Sequence, residues 1–121
     1  MQEPVNAAPT RATLRANWIA ALRSGKYKQC KGKLKVGDSY CCLGVACEVL
    51  GIVPVQIDNE WLYESEVAEL PTSAFKALGL RDDEVCQRLM TMNDTDGKSF
   101  HQIADALENG DYFDRESEEV D

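Results

Sequence analysis

The sequence predicts a single α+β domain of about five helices with one or two short β-hairpins. Three observations predict it. Apolar residues recur at helical spacing in several separate segments, two other short segments alternate apolar and polar residues, and 44% of the 121 residues are hydrophobic. That hydrophobic share belongs to a folded chain, and the length suits one core and leaves little room for a second. The expected organisation is an N-terminal arm at 1–9, a globular domain at 10–110 and an acidic tail at 111–121.

Each element has its own local signal. Residues 1–9 hold two prolines and no periodicity. Thr10 is placed to cap a helix whose apolar positions Leu14, Trp18, Ala21 and Leu22 share a face, with Gly25 as its stop. In the following YKQCKGKLKV, Lys31-Gly32 reads as the turn of a basic hairpin in which Leu34 and Val36 alternate with lysines. Asp38 and Ser39 are cap candidates for CCLGVACEVLG, which is apolar almost all round and therefore reads as the buried central helix. Val53, Val55 and Ile57 alternate, Asp58-Asn59 turns the chain, and Trp61 and Tyr63 follow on one face of the return strand. Pro54 lacks a donor, so this strand is expected at an edge. LPTSAFKALGL gives a short helix with Phe75 and Leu78 inward and Gly79 as its stop. The next helix starts at Asp82 or Asp83 and turns Val85, Leu89 and Met92 inward, and NDTDGK reads as a polar connection. Ser99 and Gln102 form a capping box ahead of Phe100, Ile103, Ala104 and Leu107, and Gly110 closes the last helix.

Charge is polarised along the chain. The net charge is −8, yet residues 1–36 carry +7 and residues 37–121 carry −15. The basic part concentrates in Arg23, Lys26, Lys28, Lys31, Lys33 and Lys35, and the acidic part is densest from Asp105 to Asp121. Such asymmetry reports internal pairing or a partner of opposite sign. The basic set is the preferred partner-binding surface, and Tyr27, Tyr40 and Trp61 are candidate ligand-contact aromatics. The overall negative charge argues against non-specific nucleic-acid binding and leaves only a local contact at the lysine cluster. No apolar run approaches the roughly 20 residues of a membrane span, and MQEPVNAAPT lacks a basic-then-apolar export signal. Five cysteines without disulfide-scaffold density fit a reducing cytoplasm.

Catalytic and metal chemistry find little support. Cys30, Cys41, Cys42, Cys47 and Cys86 contain no C-x-x-C pair, so zinc is not expected and the thiols read as small buried hydrophobes. NDTDG resembles a calcium loop only locally: with Asp94 and Asp96 in register, the first and last ligand positions fall on Met92 and Ile103. Gly25-Lys26 is followed by Tyr27, so no phosphate loop of the nucleotide-hydrolase type is present. Neither a metal nor a cofactor is expected. Cys41 or Cys42 at a helix N-terminus would gain thiolate character from the dipole. YCCLGVACEVLGI resembles the nucleophile segment of NlpC/P60 cysteine peptidases, with Cys42 opening a buried helix and Gly44 following at +2. His101 is then the sole base, but it falls inside a capped helix, whereas that family's histidine begins a strand. No catalytic residue is assigned.

Three blocks, WIAALRSGKYKQCKGKL, SYCCLGVACEVLG and LMTMND with GKSFHQIADALE, together resemble a group of small, largely uncharacterised bacteriophage and prophage accessory proteins. The resemblance implies action in the host cytoplasm, often by binding a host component. The leading expectation is a non-enzymatic interaction protein that inhibits a host or defence factor, for example a CRISPR effector, by direct contact. The alternatives are a small-molecule binder that sequesters a nucleotide signal and a cysteine-dependent hydrolase.

Overall fold

The computed structural model describes residues 10–114. The expected N-terminal arm therefore lies outside the described residues, as does the tail from residue 115. Five helices and two small sheets make up the α+β domain: α1 (Arg11–Arg23), α2 (Cys42–Val49), α3 (Thr72–Leu78), α4 (Asp83–Asp94) and α5 (Phe100–Asn109). The strands are β1 (Lys28–Gln29), β2 (Lys35–Val36), β3 (Ser39–Tyr40), β4 (Val55–Ile57) and β5 (Glu60–Leu62).

The core is built around α2. Every residue from Cys42 to Cys47 is buried, and α1, α4 and β3 pack against the helix. Trp18 of α1 is fully buried and donates its indole N–H to the Cys42 carbonyl at 3.0 Å, which satisfies the one polar atom of its ring. Gly44 lets the chain pass closely: a Cβ there would lie 1.9 Å from the Leu34 carbonyl oxygen. The C-L-G spacing thus has a packing cause, a backbone of the β1–β2 segment resting on α2.

Several local signals hold. Thr10 caps α1 through its side chain, Asp82 caps α4, and the Ser99–Gln102 capping box is closed at both bonds. Gly79 ends α3 in the left-handed region, where a side chain is disfavoured. Asp58 and Asn59 both take positive φ, the two-residue turn that matches strand twist in a hairpin, and join β4 to β5 antiparallel. The outward residues Val53, Val55 and Ile57 are 77%, 57% and 54% exposed, as an edge strand allows.

The basic segment folds differently from expectation. Lys31-Gly32 turns no hairpin: β1 pairs parallel with β3, β2 pairs antiparallel with β3, and the sheet order is β1-β3-β2. The tight turn is at Gly37-Asp38 instead, and residues 30–34 cross over to reach β2. This pairing also takes Ser39 and Tyr40 into a strand, so neither Asp38 nor Ser39 caps α2. Cys41 holds the N-cap position without a side-chain bond. The two sheets stay separate, with β2 against β5.

The packed domain runs past the expected end at residue 110. Tyr112 is buried in the core, Phe113 bridges to Leu80 and meets the Trp18 ring edge-on at 6.3 Å, and Asp114 N–H donates to the Gly79 carbonyl. Arg15, on the buried face of α1, donates to the Leu78 and Gly79 carbonyls and stacks 4.4 Å from the Phe113 ring. Polar and acidic composition hid these two aromatic anchors in a stretch that reads as tail.

Candidate functional site

The structure divides the six predicted cations into two sets. Arg23, at the end of α1, bonds Asp105 and Glu108 of α5, and those two carboxylates raise its already high pKa. Lys33 pairs with Glu60 of β5 at 2.9 Å. Lys35 donates to the Tyr40 hydroxyl at 3.0 Å and sits 4.3 Å from the Tyr40 ring and 5.0 Å from the Trp61 ring. These three are therefore corrected out of a free basic surface: they hold α1 to α5 and β2 to β5. Lys26, Lys28 and Lys31 are exposed and form no ion pair among the described residues. The polarised charge is thus partly internal pairing and partly a cationic remainder on one short segment.

A fourth lysine joins that remainder from a distance in sequence. Lys31 and Lys98 line one cleft of about 200 Å³ with Gln29, Asn93 and Gly97. Gln29 holds the two sides together, donating from Nε2 to the Lys98 carbonyl at 2.8 Å and to Asn93 Oδ1 at 2.9 Å. Lys98 stands apart from the lysine cluster in the chain, so charge counting along the sequence passes over it.

Asn93 is the residue that sequence reasoning missed most completely. It reads as the start of a polar connection, yet it belongs to α4 and is fully buried. Its Oδ1 accepts from the Cys42 backbone N–H at 3.2 Å, and its Nδ2 donates to the Cys30 carbonyl at 2.8 Å and to Asp94 Oδ1 at 2.8 Å. Cys30 N–H donates to the Tyr40 carbonyl at 2.8 Å, and in a parallel ladder the next bond would run from Cys42 N–H to the Cys30 carbonyl. The Asn93 carboxamide stands between those two groups in place of that bond. Asp94 adds an acceptor for Gly32 N–H at 3.0 Å, fixing the loop that carries Lys31. One α4 terminus therefore sets the shape of the basic segment.

The predicted aromatics do converge. Tyr27 and Tyr40 meet edge-to-face at 5.2 Å, and Lys35 bridges Tyr40 to Trp61. Beside them the buried Tyr63 donates its hydroxyl to Glu48 at 2.6 Å, and burial with that carboxylate keeps the phenol protonated. Burial also raises Tyr27, with Glu48 and Tyr40 adding to the shift.

The thiols reverse the expectation from the helix dipole. Burial pushes Cys41 up to about 12 and Cys42 well above the ordinary thiol value, outweighing the backbone N–H groups at the α2 start. Cys42 is fully buried and bonds weakly to the Leu89 carbonyl. Cys47 is raised by burial too, and Cys86 rises to about 11. His101 is exposed on α5. The described residues thus hold the thiols protonated, where the peptidase likeness would need a thiolate. No group of three or more His, Cys, Asp or Glu residues among them could hold a metal ion. No described helix is long and apolar enough to cross a membrane.

Fold and site together define a small α+β domain with a cationic segment buttressed from α4. Residues 10–69 are similar to the family model of a domain of unknown function (DUF8296). That match takes in α1, α2 and all five strands, and stops before α3. No curated protein and no solved structure matches the chain.

Proposed function

We propose that this chain is a non-enzymatic interaction protein that docks an acidic surface of a protein partner through Lys26, Lys28 and Lys31, with Lys98 beside them. The carrying observation is the division of the basic set: Arg23, Lys33 and Lys35 are engaged inside the fold, whereas the other three are exposed and unmatched by carboxylates among the described residues. The likeness of the three sequence blocks to phage accessory proteins supports taking the partner to be a host or defence factor, inhibited by direct contact in the host cytoplasm. Buttressing by Asn93 and Asp94 favours docking because a pre-shaped loop loses less freedom on binding.

The test is capture of partners by tagged protein from a bacterial lysate, comparing wild type with the Lys26→Glu, Lys28→Glu, Lys31→Glu triple variant. A stoichiometric protein partner retained by wild type and lost by the triple variant is the expected result. Equal retention by both proteins refutes the assignment of these lysines.

A second reading rests on Tyr40 and Trp61 converging on Lys35, with Tyr27 edge-on against Tyr40, a pairing of aromatic rings with a cation that suits a nucleotide-like anion. Stabilisation by a phosphorylated ligand, together with a change in Trp fluorescence that Trp61→Phe abolishes, supports it. No thermal shift across a nucleotide panel removes it.

A further inference from the structure

We infer that Cys30 and Cys41 are a covalent modification site, at which an intrachain disulfide closes between the end of β1 and the N-cap of α2. The pairing register brings them together. Lys28 lies opposite Ser39 and Gln29 opposite Tyr40 in the parallel β1–β3 pair. One residue further on, Cys30 comes opposite Cys41. Cys30 N–H completes its half of that step by donating to the Tyr40 carbonyl, and Asn93 supplies the other half between the Cys30 carbonyl and Cys42 N–H. Cys41 is still extended, at φ −87° and ψ 176°, so strand alternation continues through it. Gln29 and Tyr40 therefore share one side, and Cys30 and Cys41 share the other.

Spacing suits the bond. Neighbouring strands lie about 4.8 Å apart, inside the roughly 4.4–6.8 Å between Cα atoms that a disulfide spans. Both thiols are free, and Cys30 makes only a weak 3.5 Å contact to the Lys33 carbonyl. Cys42, next in sequence to Cys41, is occupied with Leu89 of α4.

Exposure orders the chemistry. Cys41 is buried, and Cys30 is half-exposed, so Cys30 is the point of entry. Its thiolate attacks glutathione disulfide, forming a mixed disulfide and releasing one glutathione thiolate. The Cys41 thiolate then attacks the Cys30 sulfur, forms the intrachain bond and expels the second glutathione. Two protein thiols are oxidised and one glutathione disulfide is reduced to two thiols. Burial raises both thiols, Cys41 to about 12, so the reaction is slow at neutral pH and accelerates in alkali. The bond would fasten the loop bearing Lys31 to the start of the central helix.

Folded protein incubated with glutathione disulfide at alkaline pH, then acid-quenched, denatured and alkylated, tests this by mass spectrometry. The expected product has three alkylatable thiols in place of five and a Cys30–Cys41 cross-linked peptide. Cys30→Ser protein should keep all its remaining thiols. A persistent glutathione adduct on Cys30, a bond to Cys42, Cys47 or Cys86, or five intact thiols after prolonged exposure overturns the inference.

Discussion

Replacing Asn93 by Ala removes the one side chain that satisfies both Cys42 N–H and the Cys30 carbonyl. Gln29 keeps its bond to the Lys98 carbonyl, and Asp94 keeps Gly32, so the loss centres on the buried Cys42 N–H and the part-buried Cys30 carbonyl. A buried group left unpaired costs about 1–3 kcal/mol and a part-buried one less, so Asn93→Ala should lose about 2–4 kcal/mol. That is a large fraction of the roughly 5–15 kcal/mol that holds an ordinary domain together. Urea unfolding followed by Trp fluorescence reads it directly: with m of about 1.5 kcal/mol/M, the midpoint should fall by about 1.3–2.7 M. Asn93→Asp sharpens the test, because it keeps the acceptor for Cys42 and replaces the donor with an oxygen facing the Cys30 carbonyl and the Asp94 carboxylate. That carboxyl would be raised above its unfolded value, so its penalty is present at neutral pH and shrinks, relative to wild type, as pH falls through the folded pKa. A loss below about 1 kcal/mol for Asn93→Ala would show that Asn93 does not buttress the segment, the two backbone groups having found other partners.

Two further perturbations follow from the same packing. Gly44→Ala places a Cβ 1.9 Å from the Leu34 carbonyl oxygen, a backbone atom that cannot swing aside. It should destabilise by about 3 kcal/mol or more, and near-wild-type urea unfolding would contradict the close approach of α2 to the β1–β2 segment. Stability should also fall in alkali, because Cys41, Cys42 and Cys47 stay protonated when folded while unfolded thiols ionise above the ordinary value of 9.0. Each contributes stability that is lost as pH rises past 9, about 1.4 kcal/mol per thiol at pH 10, or roughly 4 kcal/mol for the three. A Cys47→Ala variant should show a shallower decline in urea midpoint between pH 8 and 10, and an unchanged slope would contradict a buried thiol there.

What was legible in the sequence was local. Thr10, the Ser99–Gln102 box, Gly79 and Asp58-Asn59 act within a few residues of themselves, and helical periodicity finds the buried faces of α1, α4 and α5. The β1–β3 pairing is parallel and depends on a crossover, so an adjacent Lys-Gly dipeptide is a poor guide to it. Asn93 and Arg15 escaped because a buried polar side chain is recognised only by its partners, and the backbone groups these two bond lie 51 to 64 residues away along the chain. At the candidate site, composition located the cations but not their pairing. Separating Arg23, Lys33 and Lys35 from Lys26, Lys28 and Lys31 requires knowing that α5 and β5 lie alongside the first three.

Docking of an acidic partner by the exposed lysines, as proposed, requires long-range attraction between the two proteins. Its most direct measurement is the association rate of the captured partner across ionic strength, for wild type and for the Lys26→Glu, Lys28→Glu, Lys31→Glu variant. The wild-type rate should fall steeply with salt, and the variant rate should be low and should not fall with salt. A wild-type rate indifferent to salt, or a variant that associates like wild type, would contradict docking through these lysines.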